Sequence, residues 1–406
     1  MKDPQAPMIP IERALEIVLR EARVLETERA PLDSGAGRVL GEDVLADADQ
    51  PPFAKSMMDG FALRSADLAA TPVELEVIEE IAAGRLPSRR LEKGQAARIM
   101  TGAPLPEGAD AVQKVESTQP SPAPKRIRIL EPVEAGANVA PRGRELKAGD
   151  RVLARGDLLT PTRLGVLAGV GRCNPLVHRR ARVAVIPTGD ELVPCDETPG
   201  PGRIRNSNSP FLAGWCRRLG ADALELAIVR DDPDDLEMSI QRGFESDLLL
   251  LSGGVSMGTH DFVEQSLDQA GVEIFFRKIA IRPGKPAVFG RKGPCLVFGL
   301  PGNPASCLVI FAVLAAAALR KMHGVPNPAE GETTAILDRD VAQHPGRTSY
   351  LPGKLRQRGE TRHIEPVPFT GSADLPAYAA ADALLILPAD CQRLPAGSKA
   401  RVLLLP

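Results

Sequence analysis

Four loop clusters hold the residues whose types and spacing can do chemistry. The first is GGVSMGTHD at 253–261, directly behind the apolar run DLLLLS at 247–252. Small residues after a strand let backbone N–H groups converge on an anion, and a helix N-terminus just beyond adds a favourable dipole. Ser252, Gly253, Gly254 and Ser256 are the candidates there, although a glycine pair is also an ordinary tight turn with Asp261 as a helix cap. The second cluster is IRPGKPAVFG at 281–290 with GLPGNPAS at 299–306. Proline and glycine fix such turns, so Arg282 and Lys285 are presented as cations and Ser306 lies one turn into a helix. That set suits a tetrahedral oxyanion with several oxygens to satisfy; two merely solvated surface loops are the plain alternative.

The third cluster is acidic: TGDEL at 188–192, RDDPDD at 230–235, Asp261, and SMMDGFA at 56–62. Carboxylates on separate strand ends form the kind of oxygen site that Mg²⁺ takes, usually with substrate phosphates. Asp232, before Pro233, reads first as a helix cap. Asp59 has no obvious turn role on its N-terminal side, but Gly60 also permits a plain Asp-Gly turn. The fourth is RIMTGAPLPEGADAVQKVE at 98–116, where Thr101 and Gly102 offer hydroxyl and backbone donors in what is otherwise a proline-stiffened turn between strands.

The elements that must position these loops can be read from the same sequence. Apolar residues at Ile11, Ala14, Leu15, Val18, Leu19 and Ala22 predict a helix over 9–23. From about 35 to 176, short apolar stretches such as 73–81 and 126–130 alternate with Gly/Pro breaks, which predicts small β modules. Residues 180–323 alternate strand runs (182–187, 223–229, 247–252) with helical runs (209–220, 232–244, 261–271) and end in a long helix at about 303–323. This predicts a parallel, doubly wound sheet with its ligand beyond the carboxyl ends of the strands, where loops 188–191, 230–232, 252–261 and 299–306 gather. After the linker at 324–332, short runs predict a small β domain.

Composition narrows the function classes. The 406 residues carry 50 Lys+Arg against 52 Asp+Glu, a balance that excludes a basic, non-specific nucleic-acid binder. Aromatics are 3%, with Trp215 the sole tryptophan, so base-stacking platforms lack material. The six cysteines and five histidines are scattered without CxxC or HxxxH spacing, which disfavours a zinc site and a disulfide framework. The longest apolar run, 304–319, ends at Arg320 and Lys321 and reads as a buried helix, and MKDPQAP lacks the apolar core of a signal peptide. A reducing cytoplasm, with no membrane and no nucleic acid, is the expectation.

In order along the chain, SMMDGFA, RIMTGAPLPEGADAV, VIPTGDEL, LSGGVSMGTHDF, RPGKP and GLPGNPAS resemble the molybdopterin molybdenumtransferase (molybdenum insertase) family, which includes the insertase domain of gephyrin. The resemblance runs from about residue 8 to the C-terminus. It implies four domains: 1–45 with 141–178 as an elongated N-terminal domain of helical and extended segments, 46–140 as an inserted small β module, 179–326 as a central doubly wound αβα domain that binds molybdopterin, and 327–406 as a β-barrel-like C-terminal domain. It also implies a homodimer whose active cleft joins two chains, possible contact with other enzymes of the same biosynthesis, and insertion of molybdenum from molybdate into adenylylated molybdopterin with Mg²⁺-dependent release of AMP. The family's functional positions fall on Asp59, Thr101, Glu145, Glu191, Asp231 and Asp261, with Glu191, Asp231 and Asp261 as Mg²⁺ ligands. Its binding positions fall on the 252–256 loop, on Arg282, Lys285 and Pro286, on Pro301, Asn303 and Ser306, and on Gly371 and Ser372.

Three positions depart from the family's pattern. Gly143-Arg144-Glu145 stands where the family has an aspartate at the third position, and Arg282 stands for a lysine. Pro352, in GRTSYLPG, takes the place of an arginine, with Arg347 and Lys354 as the nearest replacement charges; residues at odd offset on a strand face opposite sides. Those departures motivate an alternative, a pterin-binding or scaffold chain without turnover. An adenylyltransferase-like activity of the central domain alone is a third reading.

Overall fold

Helix α1, Ile11–Glu21, buries Ile11, Ala14 and Val18 along one stripe, as its apolar spacing requires. It belongs to the larger of two units in this computed structural model, which describes residues 8–254 and 262–405. That unit comprises Met1–Glu42, Arg155–Pro161 and Asn174–Pro406; the other comprises Asp43–Ala154 and Thr162–Cys173.

The smaller unit is built on a six-stranded sheet. Its strands are β1 (Gly60–Leu63), β2 (Val73–Ile81), β3 (Gln95–Ile99), β4 (Ala111–Lys114), β5 (Thr118–Pro120) and β6 (Arg126–Ile129), in the order β4-β1-β3-β2-β6-β5. Only β2 and β3 run parallel. Phe61, Leu63, Leu75, Ile127 and Ile129 form one small core, and Ala62, Ile81, Ala97, Ile99 and Val112 form another.

In the larger unit, residues 182–300 form a second six-stranded sheet. Its strands are β7 (Arg182–Pro187), β8 (Asp222–Glu225), β9 (Leu248–Ser252), β10 (Glu273–Lys278), β12 (Pro286–Lys292) and β13 (Cys295–Leu300), in the order β8-β7-β9-β13-β12-β10; the short β11 (Ile281–Arg282) lies outside it. Strands β8, β7, β9 and β13 are parallel, whereas β12 and β10 pair antiparallel. The sheet is therefore mostly parallel, as expected, with an antiparallel edge. Only Gly293 and Pro294 separate Lys292 from its partner Cys295, too short a connection for the crossover that parallel strands need.

Helices α2 (Asn208–Arg218), α3 (Pro233–Gly243), α4 (Phe262–Gln269) and α5 (Pro304–Met322) fill the intervals. Val183, Val185, Leu248 and Leu250 share a core with α1, α2 and α5. Their neighbours Ala184, Ile186, Leu249 and Leu251 share another with α3 and α4. A strand such as LLLLS, apolar at successive positions, is thus buried on both faces. Asp232 caps α3, its Oδ1 accepting from the N–H groups of Asp234 and Asp235. Among the described residues, α5 is the one helix long and apolar enough to cross a membrane, and 83% of its most apolar window is buried in protein.

The C-terminal strands β14 (Glu332–Leu337), β15 (Thr348–Arg358), β16 (Thr361–Pro366), β17 (Ala383–Leu387) and β18 (Lys399–Leu404) run β15-β16-β14-β18-β17 and close when β17 pairs back to β15. The result is a barrel-like sheet around Ala335, Leu337, Leu351, Ile364, Leu385, Leu387 and Val402. Strand β11 pairs in parallel with the start of β15, Ile281 opposite Thr348 and Arg282 opposite Ser349.

Candidate functional site

The parallel strands β7, β9 and β13 end in register, Pro187 opposite Ser252 and Ser252 opposite Leu300. Three of the loops singled out in the sequence therefore start side by side. Thr188 N–H donates to Ser252 O at 2.9 Å, and Gly253 N–H donates to Leu300 O at 3.1 Å. Asn208, at the start of α2, ties them together: its Nδ2 donates to Ser252 Oγ at 2.7 Å and to Gly302 O at 2.9 Å. Gly253 sits at φ 111°, and a Cβ there would lie 2.3 Å from Thr188 O. The backbone of the 252–254 turn thus approaches Thr188 as only glycine permits.

The buried Oγ1 of Thr188 and Oδ1 of Asn208 have no hydrogen-bond partner among the described residues. Buried polar atoms are almost always paired, so two orphans at one strand-end crevice mark a place where a ligand or water supplies the missing bonds. Ser256 and Asp261, the remaining candidates of this loop, lie outside the described residues.

The GLPGNPAS loop carries α5 into this crevice. Pro301 is buried, Asn303 exposed and Ser306 buried. Ser372, 69 residues further along, docks onto it: Asn303 Nδ2 donates to Ser372 Oγ at 2.9 Å, and Ala305 N–H, in the first turn of α5, donates to Ser372 O at 3.0 Å. Gly371 holds φ at 149° immediately before.

The acidic loops also meet. Thr188 bridges Val229, Gly189 N–H donates to Val229 O at 3.1 Å, and Asp231 N–H donates to Asp190 Oδ1 at 3.4 Å. The Glu191 carboxylate folds over Gly189, where an added Cβ would meet its Oε2 at 2.3 Å. Asp190, Glu191 and Asp231 are all exposed. Among the described residues no group of three His, Cys, Asp or Glu side chains is gathered as a metal cage. The donors present are hard carboxylate oxygens on neighbouring strand ends, which fits a Mg²⁺ whose shell substrate oxygens and water complete.

Arg282, Lys285 and Pro286 are half-buried. No carboxylate pairs with Arg282, Lys285 or Arg347 among the described residues; Arg282 Nη1 makes a long contact to His344 O at 3.4 Å. The Arg347 guanidinium is pulled below its ordinary pKa by burial and then by the charge of Arg282. Pro352 stands opposite Leu384, an odd number of residues from Ser349 and hence on the other face of β15; Arg347 lies just before the strand. Lys354, on the Pro352 face, is exposed.

In the smaller unit, Asp59 and Thr101 are joined directly: Thr101 N–H and Oγ1–H both donate to Asp59 Oδ1, at 2.7 and 2.8 Å. Those two bonds, with the charge of Arg98, hold the exposed Asp59 carboxyl below the usual aspartate range. Gly102, at φ 84°, lets its N–H reach Ser56 O at 2.9 Å and keeps the TGA turn against the segment before Asp59. Glu145 is exposed, 3.7 Å from Lys55 Nζ, and Arg144 touches Met57 Sδ. The 143–145 loop therefore borders the 55–59 segment within the same unit.

Cysteine chemistry is disfavoured at the buried thiols, since burial pushes Cys216, Cys295 and Cys307 up to about 12. Sequence reasoning passed over Thr188, Asn208 and Asp190 as site residues. Thr188 and Asp190 lie inside the TGDEL stretch already singled out, whereas Asn208, in NSNSP, carries no signal beyond a helix start.

Comparison with known proteins follows this geometry. Residues 9–171 match a family model described as the MoeA N-terminal region (domain I and II). Residues 184–321 match a probable molybdopterin binding domain, and 334–405 the MoeA C-terminal region (domain IV). A Staphylococcus aureus (strain N315) protein named molybdopterin molybdenumtransferase is 31% identical over 404 residues, spanning 98% of this chain and 95% of its own length. A protein of the same name from Bacillus subtilis (strain 168) is 31% identical, spanning 98% and 94%. The crystal structure of a molybdopterin biosynthesis moea protein from Pyrococcus horikosii superposes with a TM-score of 0.83 at 32% identity, covering 98% of this chain and 99% of that one.

Proposed function

The chain belongs to the molybdopterin molybdenumtransferase family, and on that premise we propose that it inserts molybdenum from molybdate into adenylylated molybdopterin during molybdenum cofactor biosynthesis, releasing AMP. The observation that carries the reading is the convergence of Ser252–Gly254, Gly302–Asn303 and Ser372 in one hydrogen-bonded crevice lined by the orphaned Thr188 Oγ1 and Asn208 Oδ1. It is a polar recess at the carboxyl ends of parallel strands, the place where such sheets take ligands.

In this reading the Ser252–Gly254 backbone, with Ser256, cradles the pterin and its phosphate. Arg282 and Lys285, with Pro286, Pro301, Asn303, Ser306 and Ser372 around them, hold molybdate as a substrate. Glu191, Asp231 and Asp261 would hold Mg²⁺, which when bound supplies positive charge beside the pyrophosphate. Asp59 and Thr101, with Glu145, act from the smaller unit. The Asp59 carboxylate stays ionised near neutral pH and orients the reacting end rather than serving as a proton donor. The dithiolene sulfurs of the substrate bond to the metal, so the protein's task is positioning.

The finer organisation belongs to the same proposal: a central αβα domain at 179–326, an N-terminal domain of 1–45 with 141–178, an inserted module at 46–140 and a C-terminal domain at 327–406. A cytoplasmic homodimer whose cleft combines residues of two chains, serving other enzymes of the same biosynthesis, completes it. Incubation of the purified chain with adenylylated molybdopterin, molybdate and Mg²⁺ tests the reaction. AMP release that depends on molybdate supports it; bound substrate without AMP above background rejects it.

A further inference from the structure

Strand β8 is an edge of the central sheet and pairs on one side only, with β7. Asp222 and Leu226 turn their N–H groups to that side, donating to Ala181 O and Val185 O at 2.8 and 2.9 Å. Alternation along the strand points the backbone groups of Ala223 and Glu225 the other way, off the sheet. Ala223 O is taken by Arg217 Nη2 at 3.0 Å. Ala223 N–H, Glu225 N–H and Glu225 O have no partner among the described residues. Open groups on an edge strand are a template for pairing. A cavity of about 540 Å³ lies beside them, between β8 and the residues that end α3. Leu224, opposite Ala184 and so on the α3 face of the sheet, lines it and is 55% exposed. Arg182, Arg217 and Arg242 line it against two carboxylates, Asp222 and Glu245. Arg242 has no carboxylate partner among the described residues. Arg182 reaches only Asp247, at 3.8 Å, whose two oxygens Arg179 already holds at 2.6 and 2.7 Å.

We propose that β8 is a docking edge for an extended acidic segment of a partner protein, which adds as a further strand beside Ala223 and Glu225. One apolar side chain of the segment covers Leu224, and a carboxylate pairs with Arg242. Main-chain bonds supply affinity in this mode of recognition, and the side-chain sites beside the edge supply selectivity. Guanidinium groups choose carboxylates through charge-assisted hydrogen bonds. A small free anion would meet the arginines alone; an extended segment also satisfies the open backbone groups and covers the exposed leucine. The groove lies at the amino ends of β7 and β8, where Arg182 stands opposite Asp222. The ligand crevice lies beyond the carboxyl ends of β7, β9 and β13. Docking therefore leaves the crevice open, and the inference does not depend on the reaction proposed for it.

Fluorescence anisotropy of a labelled peptide of alternating glutamate and valine, titrated with the full chain at fixed ionic strength, reads the docking. The wild type binds this peptide, and binds its lysine-for-glutamate counterpart about tenfold more weakly or less. Arg242→Glu and Leu224→Lys each weaken binding about tenfold or more. Arg85→Glu, an equal charge change at an exposed site in the smaller unit, matches the wild type. Amide hydrogen exchange over 222–226 slows when the peptide is bound, because the Ala223 and Glu225 N–H groups gain acceptors. Leu224 is exposed, so Leu224→Lys carries the test if Arg242→Glu melts early. A wild-type chain that does not bind the peptide overturns the proposal, as does binding that survives both substitutions. Binding without slower exchange, or displacement by an equal concentration of free glutarate, overturns it too and leaves a plain anion site. None of these results bears on molybdate-dependent AMP release.

Discussion

Asp59 accepts two hydrogen bonds from a single residue, Thr101, through one oxygen: the backbone N–H at 2.7 Å and the hydroxyl at 2.8 Å. The second carboxylate oxygen is left for another partner. This pairing fixes the direction of an exposed side chain without burying it. Asp59→Ala is therefore expected to lower molybdate-dependent AMP release about 100-fold or more. The melting temperature should stay within a few degrees of the wild type. Thr101→Val keeps the backbone bond and loses the hydroxyl, with an intermediate rate, and Thr101→Ser restores it. Wild-type rates in both Asp59→Ala and Thr101→Val would remove the pair from the mechanism.

Gly60, the next residue, pairs with Lys114 across β1 and β4. A Cβ there would stand 2.0 Å from Gln113 O and 2.9 Å from Gln113 C, both backbone atoms. Neither can swing aside as a side-chain tip would. Gly60→Ala is expected to destabilise by about 3 kcal/mol or more, beyond the range of a simple overpacked side chain. Urea unfolding measures it, and a loss under ~1 kcal/mol would show that the strand pair yields.

Ser372 holds the start of α5 through its backbone oxygen and holds Asn303 through its hydroxyl. Ser372→Ala removes only the second contact. The expected cost is about 1 kcal/mol of stability. Molybdate-dependent AMP release should fall about tenfold, because Asn303 loses its anchor at the crevice. Asn303→Ala should show a similar loss, and the double variant should cost little more than either single one. Fully additive effects would mean the two side chains act apart.

His323 supplies a pH test of the larger unit. Its Nε2 accepts from Ala181 N–H at 3.0 Å, and burial, then the charges of Arg180, Arg38 and His178, push its pKa down to about 4 from 6.5. The folded form keeps the ring neutral. As pH falls below 6.5 the unfolded chain takes up a proton that the folded chain refuses, so stability declines from pH 6.5 towards 4. The full loss from this group is about 3 kcal/mol. Unfolding free energies at pH 7 and pH 5 should differ in the wild type, and the difference should shrink in His323→Gln. An unchanged pH slope in that variant would place the titration elsewhere.

Much of the larger unit is legible in the sequence because its signals are local. RVAVIP, DLLLLS and the helix after LPGNP declare themselves by composition, and Asp232 by its place before proline. The antiparallel edge of the central sheet is not, since β12 and β13 are apolar runs like the parallel strands and only their two-residue turn distinguishes them. Side-chain partnerships across long separations are also hidden. Nothing local to Ser372 tells that it binds Asn303, and nothing in NSNSP tells that Asn208 stitches two strand ends. On β15 the period of two separates Ser349 from Pro352, but only the pairing with β11 places Ser349 opposite Arg282.

Helix α5 has apolar side chains on every side, and its cover is assembled from both ends of the chain: Ile11, Ala14 and Val18 on α1, together with Tyr350, Tyr378, Leu384, Ile386 and Leu403 from the C-terminal region. A chain cut at the 324–332 linker would strip that second set away and expose to water the side of this nineteen-residue apolar helix that it covers. Such a fragment is expected to precipitate or to stick to lipid and chaperones. Inactivity in a truncated protein would then report a lost coat rather than a lost reagent, and the roles of individual residues are better sought by single replacements in the intact polypeptide.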